Sequence, residues 1–313
     1  MSLKFISLEE GMMIMEEAIM KAKKIIEGYP ETTFTGEEYM RFYDCVYSMS
    51  NHRGSETMMQ LYEKFRNSLE ESILSSVLPS LINKQGATLL EELVVMWSNY
   101  KKMGKWLCRF FHYLDRFFIP GHVGLQTLEN TLVSRFCDLV LMNLYFRFRD
   151  AALTLIEQER GGLMIDWALL KNLLDFLLEI RNYGGDYYYE DFKHAILTQT
   201  STYYSRLASE WLLYDSSADY IHKAFWCLNQ EKRRASQYLH PDLEAKLLQV
   251  VKYQLLDQTA KILMERKEAE NCGLVTDYEE VLSKCAGMTL QESSSLSTEE
   301  WLSKVMETAS HTC

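Results

Sequence analysis

Proline and glycine are both scarce in this chain of 313 residues, at 4 and 14 copies, against typical usage of about 5% and 7%. With so few chain breakers, and with Leu, Glu, Lys and Met abundant, the sequence points to a largely helical protein. No segment alternates apolar and polar residues as a strand would. A basic excess is also missing. Forty-four acidic residues against 33 basic ones leave a net charge of −11, which argues against general nucleic-acid binding. The seven cysteines form no CxxC pair; the closest two, Cys272 and Cys285, lie thirteen apart. That excludes the usual zinc spacings and suits a reducing compartment. No apolar run approaches the roughly 18 residues of a membrane span. Acidic residues from Glu9 onward interrupt any signal-peptide core at the N-terminus. The expectation is a soluble intracellular protein of the cytoplasm, the nucleus or both, binding neither nucleic acid nor membrane.

Chemistry-bearing motifs are missing as well. The chain has no G-x-x-x-x-G-K-[ST] or G-x-G-x-x-G loop, no G-x-S-x-G and no H-E-x-x-H. Its seven histidines never fall at helical metal-ligand spacing. Cys45 has no identified base partner and reads as a small packing residue. EKRRASQ, Glu231 to Gln237, reads as a charged surface face. Neither a catalytic residue, nor a cofactor, nor a metal is expected, and the chain is read as a non-enzyme.

Helices fill the sequence instead. Leu8, Met12, Met15, Ile19, Ala22 and Ile26 form one apolar stripe. Ser7 with Glu10 opens that helix and Gly28 with Pro30 closes it. A second helix opens at Thr35 with Glu38 as a capping box, and Phe34 with Tyr39 stand at the positions of a hydrophobic staple. A third runs from about 56 to 83, with Pro79 as a kink or early end. A short helix from Thr88 and a longer one ending before Pro120-Gly121 complete a block of five. The pattern resumes at about 125–159, 166–180, 187–213, 217–238 and 241–269. Near the C-terminus, Ser297 with Glu300 and Leu296 with Trp301 carry the signals of one short terminal helix.

Two of these helices are unusually aromatic. In TFTGEEYMRFYDCVYSMS, Tyr39, Phe42, Tyr43, Val46 and Tyr47 share one helical face. In KKMGKWLCRFFHYLDRF, Trp106, Phe110 and Tyr113 make one stripe, and Leu107, Phe111 and Leu114 a second about 100° away. A helix with two apolar faces can bury one and keep the other for a partner. Lys101, Lys102, Lys105, Arg109 and Arg116 make this helix basic in an acidic protein, which suits an acidic helical partner. Periodicity alone leaves a core role open for the same rings.

Six segments, in order, carry a resemblance: EEYMRFYDCVYSM, MWSNYKKMGKWLCRFFHYLDRFFI, LTLIEQERGG, TSTYYSRLASEWL, ADYIHKA and EKRRASQYLH. Between about residues 8 and 288 the chain resembles the N-terminal stalk of a cullin, of the plant class that works with F-box proteins. The resemblance implies an all-α fold of stacked five-helix bundles, the cullin repeats, in an elongated stalk. Residues 1–122 would be the first repeat, 123–270 the second, and 271–313 the start of a third followed by a divergent tail.

The resemblance also implies a non-catalytic scaffold of the ubiquitin-ligase system. Its first repeat would dock a Skp-family adaptor, and through it F-box proteins, on its second and fifth helices. Carried over by position, the docking residues are Tyr39, Phe42, Tyr43 and Val46 from one helix and Trp106, Phe110 and Tyr113 from the other. Lys105 and Arg109 flank them. These rings are expected to face water in the free chain, with Tyr47 and Leu107 assigned to the core. The family's RING-binding and modifier-accepting domain has no counterpart in the sequence, so RING binding is not expected, and a competitor of full-length cullins is one reading. The alternative is a generic α-helical interaction module unrelated to ubiquitin.

Overall fold

A computed structural model describes residues 6–269. The readings that fall on 271–313, including the terminal helix at Ser297, lie outside the described residues. Among the described residues there is no strand.

Helix α1 (Leu8–Lys23) begins where the Ser7 hydroxyl accepts the Glu10 amide at 3.1 Å. It buries Met15, Ile19 and Ala22. Helix α2 (Gly36–Arg53) carries the full capping box: Glu38 donates its amide to Thr35 Oγ1 at 3.2 Å, and Thr35 donates its amide to Glu38 Oε2 at 2.8 Å. The two helices lie close because Gly11 has no side chain; a Cβ there would stand 2.2 Å from Met49 Sδ.

Helix α3 (Ser55–Ser72) continues through a π-turn (Ile73–Val77) into α4 (Leu78–Ile82). Pro79 does not end the run, which continues to Ile82. Just ahead of the proline the ladder has already shifted register, with Leu78 donating to the Ile73 carbonyl five residues back. Helix α5 (Gly86–Phe110) is one rod of 25 residues rather than a short helix followed by a long one. Nothing between Gly86 and Phe110 breaks it. Its internal Gly104 serves packing, since a Cβ there would meet Leu132 Cδ1 at 2.3 Å. Helix α6 (His112–Phe117) and a 3-10 turn (Ile119–Gly121) follow.

Helix α7 (Leu128–Phe136) runs through a second π-turn (Cys137–Leu141) into α8 (Met142–Arg160). Then come α9 (Trp167–Arg181), α10 (Asp186–Tyr214) and α11 (Ser217–Tyr238). The last are α12 (Pro241–Lys252) and, after a third π-turn (Tyr253–Asp257), α13 (Ala260–Ala269). One hydrophobic core runs through all of this. α5 packs against α1 and α2 on one side and against α8 and α9 on the other. Its Trp97 ring lies 4.7 Å from Phe136 and 5.2 Å from Phe176. Trp97 Nε1 and Lys101 Nζ both donate to Glu179 of α9, at 3.0 and 2.6 Å.

Candidate docking surface

α2, the C-terminal end of α5 and α6 bring the predicted residues together on one side of the first block. Tyr39 and Tyr43 stack at 6.2 Å between ring centres, and Tyr47 meets Tyr113 edge-on at 5.3 Å. Tyr113 then contacts Phe117 at 4.6 Å. Trp106 lies 6.1 Å from Phe110, with the Arg109 guanidinium 5.1 Å above its ring. Tyr39, Tyr43, Tyr47, Trp106 and Tyr113 are half-buried; Lys105, Arg109 and Arg116 are exposed. Phe117 is 56% exposed, with Arg116 5.2 Å from its ring. Burial, helped by the neighbouring Tyr47 and Tyr43, raises the Tyr113 phenol above its ordinary value. Four phenols, those of Tyr39, Tyr43, Tyr47 and Tyr113, thus share one strip.

The resemblance places Phe42, Val46 and Phe110 on the water-facing docking surface; the structure buries all three, at 1%, 0% and 0% exposure. The cause lies just outside α2. The ring of Phe34, at the staple position before α2, reaches Trp106 at 5.0 Å, Phe110 at 4.9 Å and Phe42 at 6.0 Å. Phe42 and Phe110 then close on each other at 5.2 Å. Phe34, itself buried, is the plug over that contact, with Lys21 Nζ 4.8 Å from its ring. Tyr47 moves the other way, half-exposed rather than core, while Leu107 is fully buried as placed.

The strip therefore holds Tyr39, Tyr43, Trp106, Tyr113, Lys105 and Arg109 from the sequence reading. Tyr47 and Phe117 are additions. Phe117 continues the stripe Trp106–Phe110–Tyr113 by one more step of four, and that step is the signal that would have found it. Of the basic residues on this stretch, Lys101 is turned away to Glu179.

Chemistry is not what this surface offers. Among the described residues, no group of three His, Cys, Asp or Glu side chains is placed to hold a metal. A depression of about 470 Å³, lined by Asn67, Glu70, Glu71, Leu74 and Ser75, lies open on α3 and its π-turn. Cys45 is buried and its thiol pushed up to about 11 by that burial, which fits a packing residue. Among the described residues no helix is long and apolar enough to cross a membrane.

Comparison with known proteins decides the ancestry. The family model described as the cullin alpha solenoid domain matches residues 16–301. The chain belongs to the cullin family. The match runs past residue 288, where the resemblance carried by the six segments ends. Cullin-1 of Oryza sativa subsp. japonica is 45% identical over 275 residues, covering 88% of this chain and 37% of that protein. Cullin-2 of Arabidopsis thaliana is 36% identical over 274 residues, 86% of this chain and 36% of its own length. Cullin-like protein 3 of Arabidopsis thaliana is 33% identical over 235 residues, 75% of this chain and 91% of its own length. The chain thus spans little more than a third of rice Cullin-1 and of Arabidopsis Cullin-2. Cullins are non-catalytic scaffolds of ubiquitin ligases, and the all-α solenoid is theirs.

A second polar feature of this cullin was misplaced by sequence. EKRRASQ is a solvated face only in part: Lys232, Arg233, Ser236 and Gln237 are exposed, but Glu231 is 0% exposed and Arg234 turns inward beside it. Glu231 Oε1 accepts from Arg160 Nη2 at 2.6 Å. Its Oε2 accepts from the Tyr204 hydroxyl at 2.7 Å and from Arg234 Nη2 at 2.9 Å. Arg160 Nη2 also donates to Thr200 Oγ1 at 2.7 Å. The two guanidiniums hold the Glu231 carboxyl below the usual carboxylate range against the desolvation that would raise it. This cluster ties α8, α10 and α11 together in the second block.

Proposed function

We propose that the strip on α2, α5 and α6 docks a Skp-family adaptor, and through it F-box proteins, so that the chain acts as the adaptor-binding part of a cullin scaffold. One observation supports this above the rest: in a cullin, the half-exposed rings of Tyr43, Trp106 and Tyr113 share one surface with exposed Phe117, Lys105 and Arg109. Partly covered aromatics with a polar tip, ringed by cations, suit an anchor that gains burial when a partner arrives. The cations would steer an acidic partner during approach.

The 313-residue polypeptide would also compete with a full-length cullin for the adaptor, since it carries the docking strip by itself.

The test is a titration of the purified chain with a Skp-family adaptor, with and without a full-length cullin present. Tyr43→Ala is expected to weaken binding by about 2 kcal/mol or more, roughly 30-fold, with an almost unchanged melting curve. A wild-type chain that fails to bind the adaptor ends this reading. So does a Tyr43→Ala variant that binds as tightly as the wild type.

A further inference from the structure

α5 stops at Phe111, whose backbone (φ −88°, ψ 6°) leaves the helical run, and α6 restarts for only 6 residues. Tyr113 and Phe117 therefore stand on a short helix whose direction α5 does not dictate. Leu114 and Phe118 anchor it in the core, but apolar burial is not directional. The directional tie lies on the far side. Asp115 Oδ1 accepts the Leu128 amide at 2.9 Å, at the first residue of α7. Thr127 Oγ1 takes the Asn130 amide at 3.2 Å, so two acceptors divide the orphan amides of α7's first turn.

Asp115 lies two residues from both Tyr113 and Phe117, about 200° round the helix from each. It faces away from the strip, and a partner seated on those rings does not touch it. Nor is it an ordinary surface acid: burial raises its carboxyl above the usual range, with the Leu128 amide pulling the other way.

We propose that Asp115 is a positioning residue of the docking strip: its bond to α7 sets the angle of α6 and so places Tyr113 and Phe117 for the partner. This rests on the docking reading above, and it names a residue that no contact with the partner would reveal.

The full chain is titrated with a Skp-family adaptor as wild type, Asp115→Ala, Asp115→Asn and Tyr43→Ala. Asp115→Ala should bind about tenfold more weakly, chiefly through faster dissociation. Asp115→Asn keeps an acceptor oxygen and should return to within about twofold of wild type. A second readout needs no partner: titration of the Tyr113 phenol, followed by NMR of ring-labelled tyrosine. Its raised value depends on burial and on Tyr47 and Tyr43, so it should fall toward the ordinary tyrosine range in Asp115→Ala and stay raised in Asp115→Asn. Asp115→Ala binding like wild type, or an unmoved Tyr113 titration, overturns the proposal. An Asp115→Asn variant as weak as Asp115→Ala overturns it too, since charge rather than the bond would then matter. If the wild type does not bind while Tyr43→Ala and Asp115→Ala are folded, the docking reading falls, and the phenol titration still decides whether Asp115 sets α6.

Discussion

The first block wears rings on its outside, and the second hides charges in its inside. On α2 and α6, Tyr39, Tyr43, Tyr47 and Tyr113 keep part of their surface in water. Between α8, α10 and α11, Arg160 and Glu231 have side chains 1% and 0% exposed. Hydrophobicity alone would have sorted them the other way. The difference lies in what each group needs. A phenol can bury its ring face and leave its hydroxyl wet, so it tolerates a boundary. A buried carboxylate is tolerated only where several donors meet it, and Glu231 has Arg160, Arg234 and Tyr204.

The sharpest way to break this contrast is to remove one member of the hidden set. Glu231→Ala leaves two guanidiniums facing a low-dielectric interior without their shared acceptor. It should cost toward the upper end of about 3–5 kcal/mol, read as a fall in the urea midpoint with an unchanged slope. A loss below about 1 kcal/mol would mean that water reaches the site and that the cluster is in effect a surface pair.

The next effect separates two rings on neighbouring helices, Phe110 of α5 and Tyr43 of α2. Phe110→Ala should destabilise the fold by about 3 kcal/mol, a value held down because Phe34 and Trp106 can lean into the space. Tyr43→Ala should instead leave stability nearly intact and act on binding. Unfolding curves of the two variants, run side by side, decide whether core and strip are divided where the structure divides them. The smallest effect concerns approach. Lys105→Glu should slow association by several-fold at low salt and flatten its salt dependence, with dissociation little changed. An unaltered on-rate would take Lys105 out of the steering set.

Local signals in the sequence carried the fold well, and the reasons are local. Ser7, Thr35 and Glu38 cap where expected because a cap is a contact within one turn. The apolar stripe of α1 faces inward because period and burial agree there. The site was legible only in part. Tyr43, Trp106 and Tyr113 stand on one surface as placed, but Phe42 and Phe110 turn inward. What covers them is Phe34, a loop ring more than seventy residues before Phe110, and helical periodicity cannot see across that distance. Glu231 was lost for the same reason: EKRRASQ looks hydrophilic until Arg160 comes to it from 71 residues away. Tyr47 was assigned to the core although it shares the α2 face of Tyr39 and Tyr43, and it lies at the boundary; the stripe of Trp106, Phe110 and Tyr113 was followed only as far as Tyr113, one step short of Phe117.

One feature of the architecture reaches beyond the strip itself. At a rise of about 1.5 Å per residue, the 25 residues of α5 make a strut roughly 37 Å long. Its late residues hold Trp106 and Phe110, while its middle holds Trp97 against Phe136 and Phe176. On the docking proposal, cargo seated at the first end would be aimed by the packing of α8 and α9 on the same strut, as a bracket aims a lamp. Bending that strut would change where a bound protein points without changing how tightly it is held.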